Sequence, residues 1–467
     1  MQESRLLKLL STLSKDELKG LRGFIRSPFA NKRREVVALF DILEKPLRSG
    51  KTIPDKQVVY RQVFPGAAYD DHRIRMAMSF LFQATGQFLA VREFMEDKPL
   101  FQRRLSGIFR QRQLPDLFIK TWEEAGKQQA QQPGRNADFF EGQYQLSLEK
   151  YRFDVDNQSA DRIDFQDLSD QLDRAFLARK LWQACFMLSH QTVRHTHYDF
   201  GLLNNAVSYL EKTGYLDVPA ISVYYYCWRS LIRPGEKTHF QHFKKLLMQN
   251  GDLFPGAELR DLYLLAINFC IRRYNEGSQD YLPEQFELYR EGFSKGYFIS
   301  DGALSRYTYQ NAATIGLVLR ELEWVERFVH EYRPYLREEY REGLFSFNLA
   351  RLEYQRRELG KALLLLQKAE YKDLLLNLAA KTLQLKIFYE LQEFDTLESH
   401  LQAIRTFIRR KKVMGYHREN YLNTVHFTQK ILESRLFDKK ERAALRREIS
   451  ETGALAEKEW LLAMIAE

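Results

Sequence analysis

The sequence is short of the residues that punctuate a chain. Its 467 residues include 12 prolines and 23 glycines, too few turn signals for a many-stranded sheet or barrel. Cysteine is scarcer still. Cys185, Cys227 and Cys270 are isolated thiols that make no disulfide framework, so a reducing, cytoplasmic setting is expected. No run approaches the roughly 18 consecutive apolar residues that span a bilayer, and no membrane insertion is expected. Leu6, Leu7, Leu9 and Leu10 are interrupted by Lys8 and followed by Lys15-Asp16-Glu17. They read as the start of an amphipathic helix rather than as a signal peptide. A phosphate-binding loop, a dinucleotide glycine fingerprint and a His-Glu-x-x-His zinc motif are also missing.

What is present points to an ordered, water-exposed chain. Aromatics reach 13% and hydrophobic residues 45%, against 28% charged, whereas disordered segments are depleted in aromatics. The net charge of +9 is unevenly spread: residues 1–130 hold 24 basic and 15 acidic side chains, which accounts for the whole excess. Residues 1–34 alone carry nine basic and three acidic groups. Such a block suits an acidic partner, nucleic acid included.

The clearest internal repeat lies at residues 344–410. A shift of 34 aligns Leu344 with Leu378, Leu349 with Leu383, Tyr354 with Phe388, Leu363 with Leu397 and Ala369 with Ala403. Ala350, Ala362 and Ala369 recur along it as small residues. In period and in these small residues the segment resembles the tetratricopeptide (TPR) family, whose unit is two antiparallel helices. It departs from that pattern at Ser346 and Leu374, where the family places an aromatic and a proline, and at Gln384 and Thr396 in the next hairpin. Upstream, Glu321-Leu322-Glu323-Trp324-Val325 aligns with Glu358-Leu359-Gly360-Lys361-Ala362 at an offset of 37, with the extra residues absorbed around Pro334. This register puts Ala313 opposite Ala350. Steps of 42 or 43 back from Ala313 land on Cys270, Cys227, Cys185 and Gly142. All are small, so the cysteines are expected as close-contact residues of successive first helices rather than as a redox or metal trio.

Second helices are expected at Leu202–Lys212, His239–Asn250 and Pro283–Ser294, ending near Gly214, Gly251 and Gly296. Ahead of the array, Ser14-x-x-Glu17 is a capping box for a helix through Arg26 that Pro28 interrupts. Helices from Asn31 to about Lys45 and from Asp70 or Asp71 through Phe94 follow. After it, Tyr416–Phe437, Lys439–Ser450 and Ala454–Ala466 read as capping helices. The expected fold is therefore all-α, an α-solenoid of stacked antiparallel hairpins over residues 99–412. A basic helical block at 1–98 precedes it and capping helices at 413–467 follow. Ser27-Pro28-Phe29-Ala30-Asn31, Trp324-Val325-Glu326-Arg327-Phe328 and His417-Arg418-Glu419-Asn420-Tyr421-Leu422 also resemble segments of bacterial helical-repeat proteins. That resemblance implies a fold and no activity.

No catalytic residue, metal ligand or cofactor site is expected. Asp154-Val155-Asp156 opens like a calcium loop, but Ser159 stands where the turn glycine belongs and Phe165 where the closing glutamate does. His190, His195, His197 and Asp199 are the nearest approach to a metal set, and read as a helix end with a turn. Glu338-Glu339 reads as a solvated helix face. Tyr224, Tyr225, Tyr226 and Trp228 are the densest aromatics, candidates for a groove as well as for core. Lys32, Arg33 and Arg34 fall where a helix should begin. There they oppose the helix dipole, which makes them the preferred contacts for an acidic partner. The expected function is a non-enzymatic protein-binding scaffold using the concave face of the solenoid. The alternative is binding of nucleic acid or another polyanion through the N-terminal block.

Overall fold

The structure, a computed structural model, describes residues 3–157, 163–411, 415–433 and 439–466. Lys412 and Phe437, where two of the expected segments end, lie outside the described residues. The chain is all-α: twenty-three helices and one two-stranded hairpin form among the described residues. It divides into two compact units, Met1–Lys180 and Leu181–Glu467. None of the described helices is long and apolar enough to cross a membrane.

The first unit begins with α1 (Arg5–Leu10), α2 (Lys15–Arg26), α3 (Arg34–Ser49), α4 (Lys56–Val63) and α5 (Asp71–Glu96). The capping box forms at α2: Ser14 Oγ accepts from Glu17 N at 3.2 Å, and Glu17 Oε2 accepts from Ser14 N at 2.7 Å. These hydrogen bonds hold the Glu17 carboxyl below its ordinary value. Asp70 caps α5 by accepting from His72 N and Arg73 N at 2.9 and 3.2 Å. Leu21, Ile25, Leu39, Phe40, Ile74 and Leu81 are among the residues of one hydrophobic core shared by these five helices. Gly20 lets α2 approach α5, since a Cβ there would lie 2.8 Å from the Phe88 ring. α6 (Lys98–Gln111) and α7 (Pro115–Gln131) form a hairpin on which α8 (Ala137–Asp156) packs. α9 (Phe165–Arg194) contains the division between the units.

The second unit continues with α10 (Leu203–Leu210), α11 (Pro219–Ile232), α12 (Lys237–Asn250), α13 (Gly256–Asn275) and α14 (Leu282–Ser294). β1 (Ile299–Ser300) and β2 (Ala303–Leu304) pair antiparallel before α15 (Arg306–Val318), α16 (Leu322–Tyr332), α17 (Glu338–Gln355) and α18 (Leu359–Lys368). α19 (Leu374–Glu390), α20 (Phe394–Arg410), α21 (Tyr416–Glu433), α22 (Lys439–Glu451) and α23 (Lys458–Ala466) complete the chain. Consecutive helices pair as α11 with α12, α13 with α14, α15 with α16, α17 with α18 and α19 with α20. First helices also touch one another: α11 meets α13, and α17 meets both α15 and α19.

The turns inside three of these hairpins share one backbone geometry. Arg320, Arg357 and Gln392 are left-handed at φ 57, 64 and 60°. The amides of Glu321, Glu358 and Glu393 then reach back to the carbonyls of Gly316, Glu353 and Phe388 at 2.9, 2.9 and 3.0 Å. This is the Schellman closure, which satisfies carbonyls orphaned at a helix end. Cys185, Cys227, Cys270, Ala313 and Ala350 lie on α9, α11, α13, α15 and α17, each with at most 1% of its surface exposed. Ala362 is buried on α18, while Ala369 is the C-cap of that ten-residue helix. Gly316 brings α15 against α16, because a Cβ there would lie 2.5 Å from Val325. At the C-terminal end, one hydrophobic cluster joins Leu378, Leu397 and Ile404 to Val425, Ile449 and Leu461.

Candidate functional site

The N-terminal basic triplet runs from the turn after α2 into the start of α3, with Arg33 as N-cap and Arg34 as the first helical residue. Asn31 shapes that turn: its side-chain amide donates to the carbonyls of Ile25 and Arg33 at 2.9 and 3.0 Å, and its oxygen accepts from Arg33 N at 3.0 Å. Lys32, Arg33 and Arg34 are all exposed. They are not equivalent, however. The Arg33 guanidinium sits 3.6 Å from the Phe80 ring centroid and 3.7 Å from Glu35, whereas Lys32 and Arg34 make no ion pair among the described residues. Phe29, two residues before Asn31, is 99% exposed. Much of the surrounding positive charge is matched at close range. Glu44 is buried between Arg22 and Arg48, and Arg26 pairs with Asp41 at 2.9 Å.

The Tyr224–Trp228 segment of α11 sits mainly in the core. Tyr224 and Trp228 are 1 and 7% exposed, and Tyr225 is buried beside them. Their polar tips are satisfied, as buried phenols require. Tyr224 Oη donates to Glu258 at 2.7 Å and Tyr225 Oη to Glu211 at 2.6 Å. Burial, followed by the Glu211 hydrogen bond, pushes the Tyr225 phenol up to about 12. Tyr226 is the half-buried member, stacked on His242 at 4.9 Å. Behind them, Cys185 Sγ donates to the Tyr224 carbonyl at 3.3 Å. Burial raises the thiols of Cys185 and Cys270, which disfavours their thiolate forms.

The remaining sequence candidates are dispersed or engaged. His190 Nδ1 is 2.8 Å from Tyr198 Oη, while His195, His197 and Asp199 are exposed on the following turn. Among the described residues no group of three or more His, Cys, Asp or Glu side chains is placed to hold a metal. Asp154 is tied to Lys150 at 2.6 Å within α8, and Ser159 lies outside the described residues. Glu338 and Glu339 are exposed in the first turn of α17, where carboxylates favour the positive end of the helix.

A groove that the sequence did not mark forms where α13, the β1–β2 hairpin, α15 and the start of α17 come together. It encloses about 600 Å³ and is lined by Arg260, Arg306, Tyr307, Arg337 and Tyr340, among others. Asp301 and Gly302 turn the β-hairpin with φ of 51 and 72°, the left-handed pair of a type I′ turn. Arg306 organises the rim. It is 3.1 Å from Asp373, donates to Tyr307 Oη at 2.7 Å, and lies 4.3 Å from the Tyr340 ring centroid. The Tyr307 hydrogen bond leads the causes that raise the Arg306 pKa. Tyr307 remains 64% exposed. Arg337 is exposed and makes no ion pair among the described residues, whereas Arg260 faces Asp261 at 3.3 Å. Arg306 thus holds the Tyr307 and Tyr340 side chains at the rim, beside the exposed Arg337.

Comparison with known proteins finds no family model that matches the chain and no matching curated relative. The reading of function therefore rests on the geometry above.

Proposed function

We propose that the chain is a non-enzymatic protein-binding scaffold, TPR-like in its array of hairpins, and that a partner seats in the groove around Tyr307 and Arg337. The observation that carries this reading is the groove's rim. Two tyrosines and three arginines from three separate elements surround about 600 Å³, and Tyr and Arg are the residues that concentrate binding energy at protein interfaces. The recurring Schellman turns and the buried small residues on successive first helices support the TPR-like part. In this reading residues 1–98 are a basic helical block, 99–412 the array that carries the groove, and 413–467 its cap. Three unbridged cysteines fit the reducing cytoplasm.

A tagged capture from the native host, with and without nuclease and at two salt concentrations, tests the proposal. A discrete protein that survives nuclease and high salt, and is lost about tenfold or more with Tyr307→Ala and Arg337→Ala, supports it. Capture unaffected by both substitutions refutes it.

A second reading has its own observation. Phe29 is 99% exposed beside exposed Lys32 and Arg34, an aromatic among cations of the kind that single-stranded nucleic acid binds. Recovered nucleic acid, lost at high salt or with Lys32→Ala and Arg34→Ala, would favour that reading instead.

A further inference from the structure

A second cavity, of about 380 Å³, opens along α15, α17 and α19, with Tyr421 of α21 and the Ala456–Glu457 segment ahead of α23 as further lining. Arg351, Lys386 and Glu457 are the charged side chains facing it. Lys386 and Glu457 neutralise each other, with Nζ 2.7 Å from Oε2, and the ammonium also lies 5.0 Å from the Tyr354 ring centroid.

Arg351 is different. Among the described residues no carboxylate oxygen lies within 4.0 Å of it. Its hydrogen bond is from Nη1 to Thr314 Oγ1 at 2.7 Å, and that hydroxyl in turn donates to the Gln310 carbonyl at 2.8 Å. The half-buried guanidinium makes no other hydrogen bond among the described residues, and it lies 5.6 Å from the Phe347 ring centroid. Two other half-buried cations of the same unit are compensated: Lys244 has both Glu284 and Glu287, and Arg356 has Glu326 and Glu353. A guanidinium does not shed its proton inside a protein, and a desolvated charge without a partner is costly. Desolvation pulls the Arg351 pKa down, and the charge of Glu457 across the cavity opposes it.

We propose that this cavity binds an organic monoanion, whose carboxylate pairs with Arg351 and whose apolar body lies among Leu317, Phe347 and Leu383. The charge count selects a monoanion, because one cation is uncompensated and Glu457 repels a second negative charge. The planar fork of arginine matches a carboxylate in two parallel hydrogen bonds. The volume lies in the range of small-molecule pockets. The proposal is separate from the groove at Tyr307 and stands whether or not a protein docks there.

Calorimetric titration of the full chain with hexanoate and benzoate, against hexanol and benzyl alcohol, tests it. The acids are expected to bind with one-to-one stoichiometry and at least about tenfold more tightly than the alcohols of the same skeleton. Arg351→Met is expected to abolish the preference for acids while leaving the unliganded melting temperature equal to or above that of the parent, because it removes an uncompensated charge. Arg351→Lys is expected to restore part of the preference. The proposal is overturned if acids and alcohols bind alike, if no acid binds below about 10 mM, if inorganic phosphate competes as well as the acids, or if Arg351→Met binds acids as the parent does. The comparison of acid with alcohol on the unaltered chain needs no variant to fold.

Discussion

The Tyr224–Trp228 segment and the Tyr307–Tyr340 groove are built from the same residue types under opposite constraints. On α11 the aromatics are adjacent in sequence, so they project around the helix and are covered by α12 and α13. Their hydroxyls are spent on Glu258 and Glu211. In the groove, Tyr307 and Tyr340 are 33 positions apart in the chain and are joined through Arg306, with Tyr307 left 64% exposed. Density along the chain thus marks a helix wrapped by neighbours. The exposed rim of the groove arises instead from sparse residues that the hairpins bring together.

Three substitutions sharpen this contrast. The largest effect is expected for Tyr224→Ala, which empties a fully buried position and removes a hydrogen bond to Glu258; a loss of about 3–5 kcal/mol in denaturant unfolding is predicted. A loss below about 0.5 kcal/mol, the range of surface positions, would place Tyr224 on a face and erase the distinction. Cys227→Leu follows, with a predicted cost of about 1–3 kcal/mol from overpacking, because the thiol is 1% exposed. A stabilised Cys227→Leu would mean that first helices do not approach closely there. The smallest effect is expected for Tyr307→Ala, whose stability should remain within about 0.5 kcal/mol of the parent by the same measurement. A cost like that of Tyr224→Ala would make Tyr307 a packing residue and remove the groove's anchor.

Features that depend on near neighbours were legible in the sequence. The Ser14–Glu17 capping box formed as its spacing demands, and the α12 and α14 segments fall within two residues of their expected bounds. Pro334 sits in a single 3₁₀ turn, Arg333–Tyr335, as a helix-ending proline would. Alignment of Glu321 with Glu358 picked out residues that now share a backbone role, but the left-handed Arg320, Arg357 and Gln392 ahead of each repeat were hidden because none is glycine. Asp301-Gly302 was a readable hairpin signal that an all-helical reading passed over.

The site itself was largely illegible. The basic triplet was visible as a run of charge, yet Glu44, Asp41 and Phe80, which decide what charge is left over, come from elsewhere in the chain. Arg351 has no local mark at all. Its meaning lies in a missing carboxylate, a property of how α15, α17 and α19 meet.

As proposed, partner binding uses the groove rather than the aromatic segment or the basic turn. Hydrogen exchange of the full chain, with and without the protein it captures, tests this most directly. The account predicts new protection at residues 303–308 and 336–340, with residues 224–228 unchanged. Protection confined to residues 29–34 would contradict it and assign the binding surface to the N-terminal basic turn.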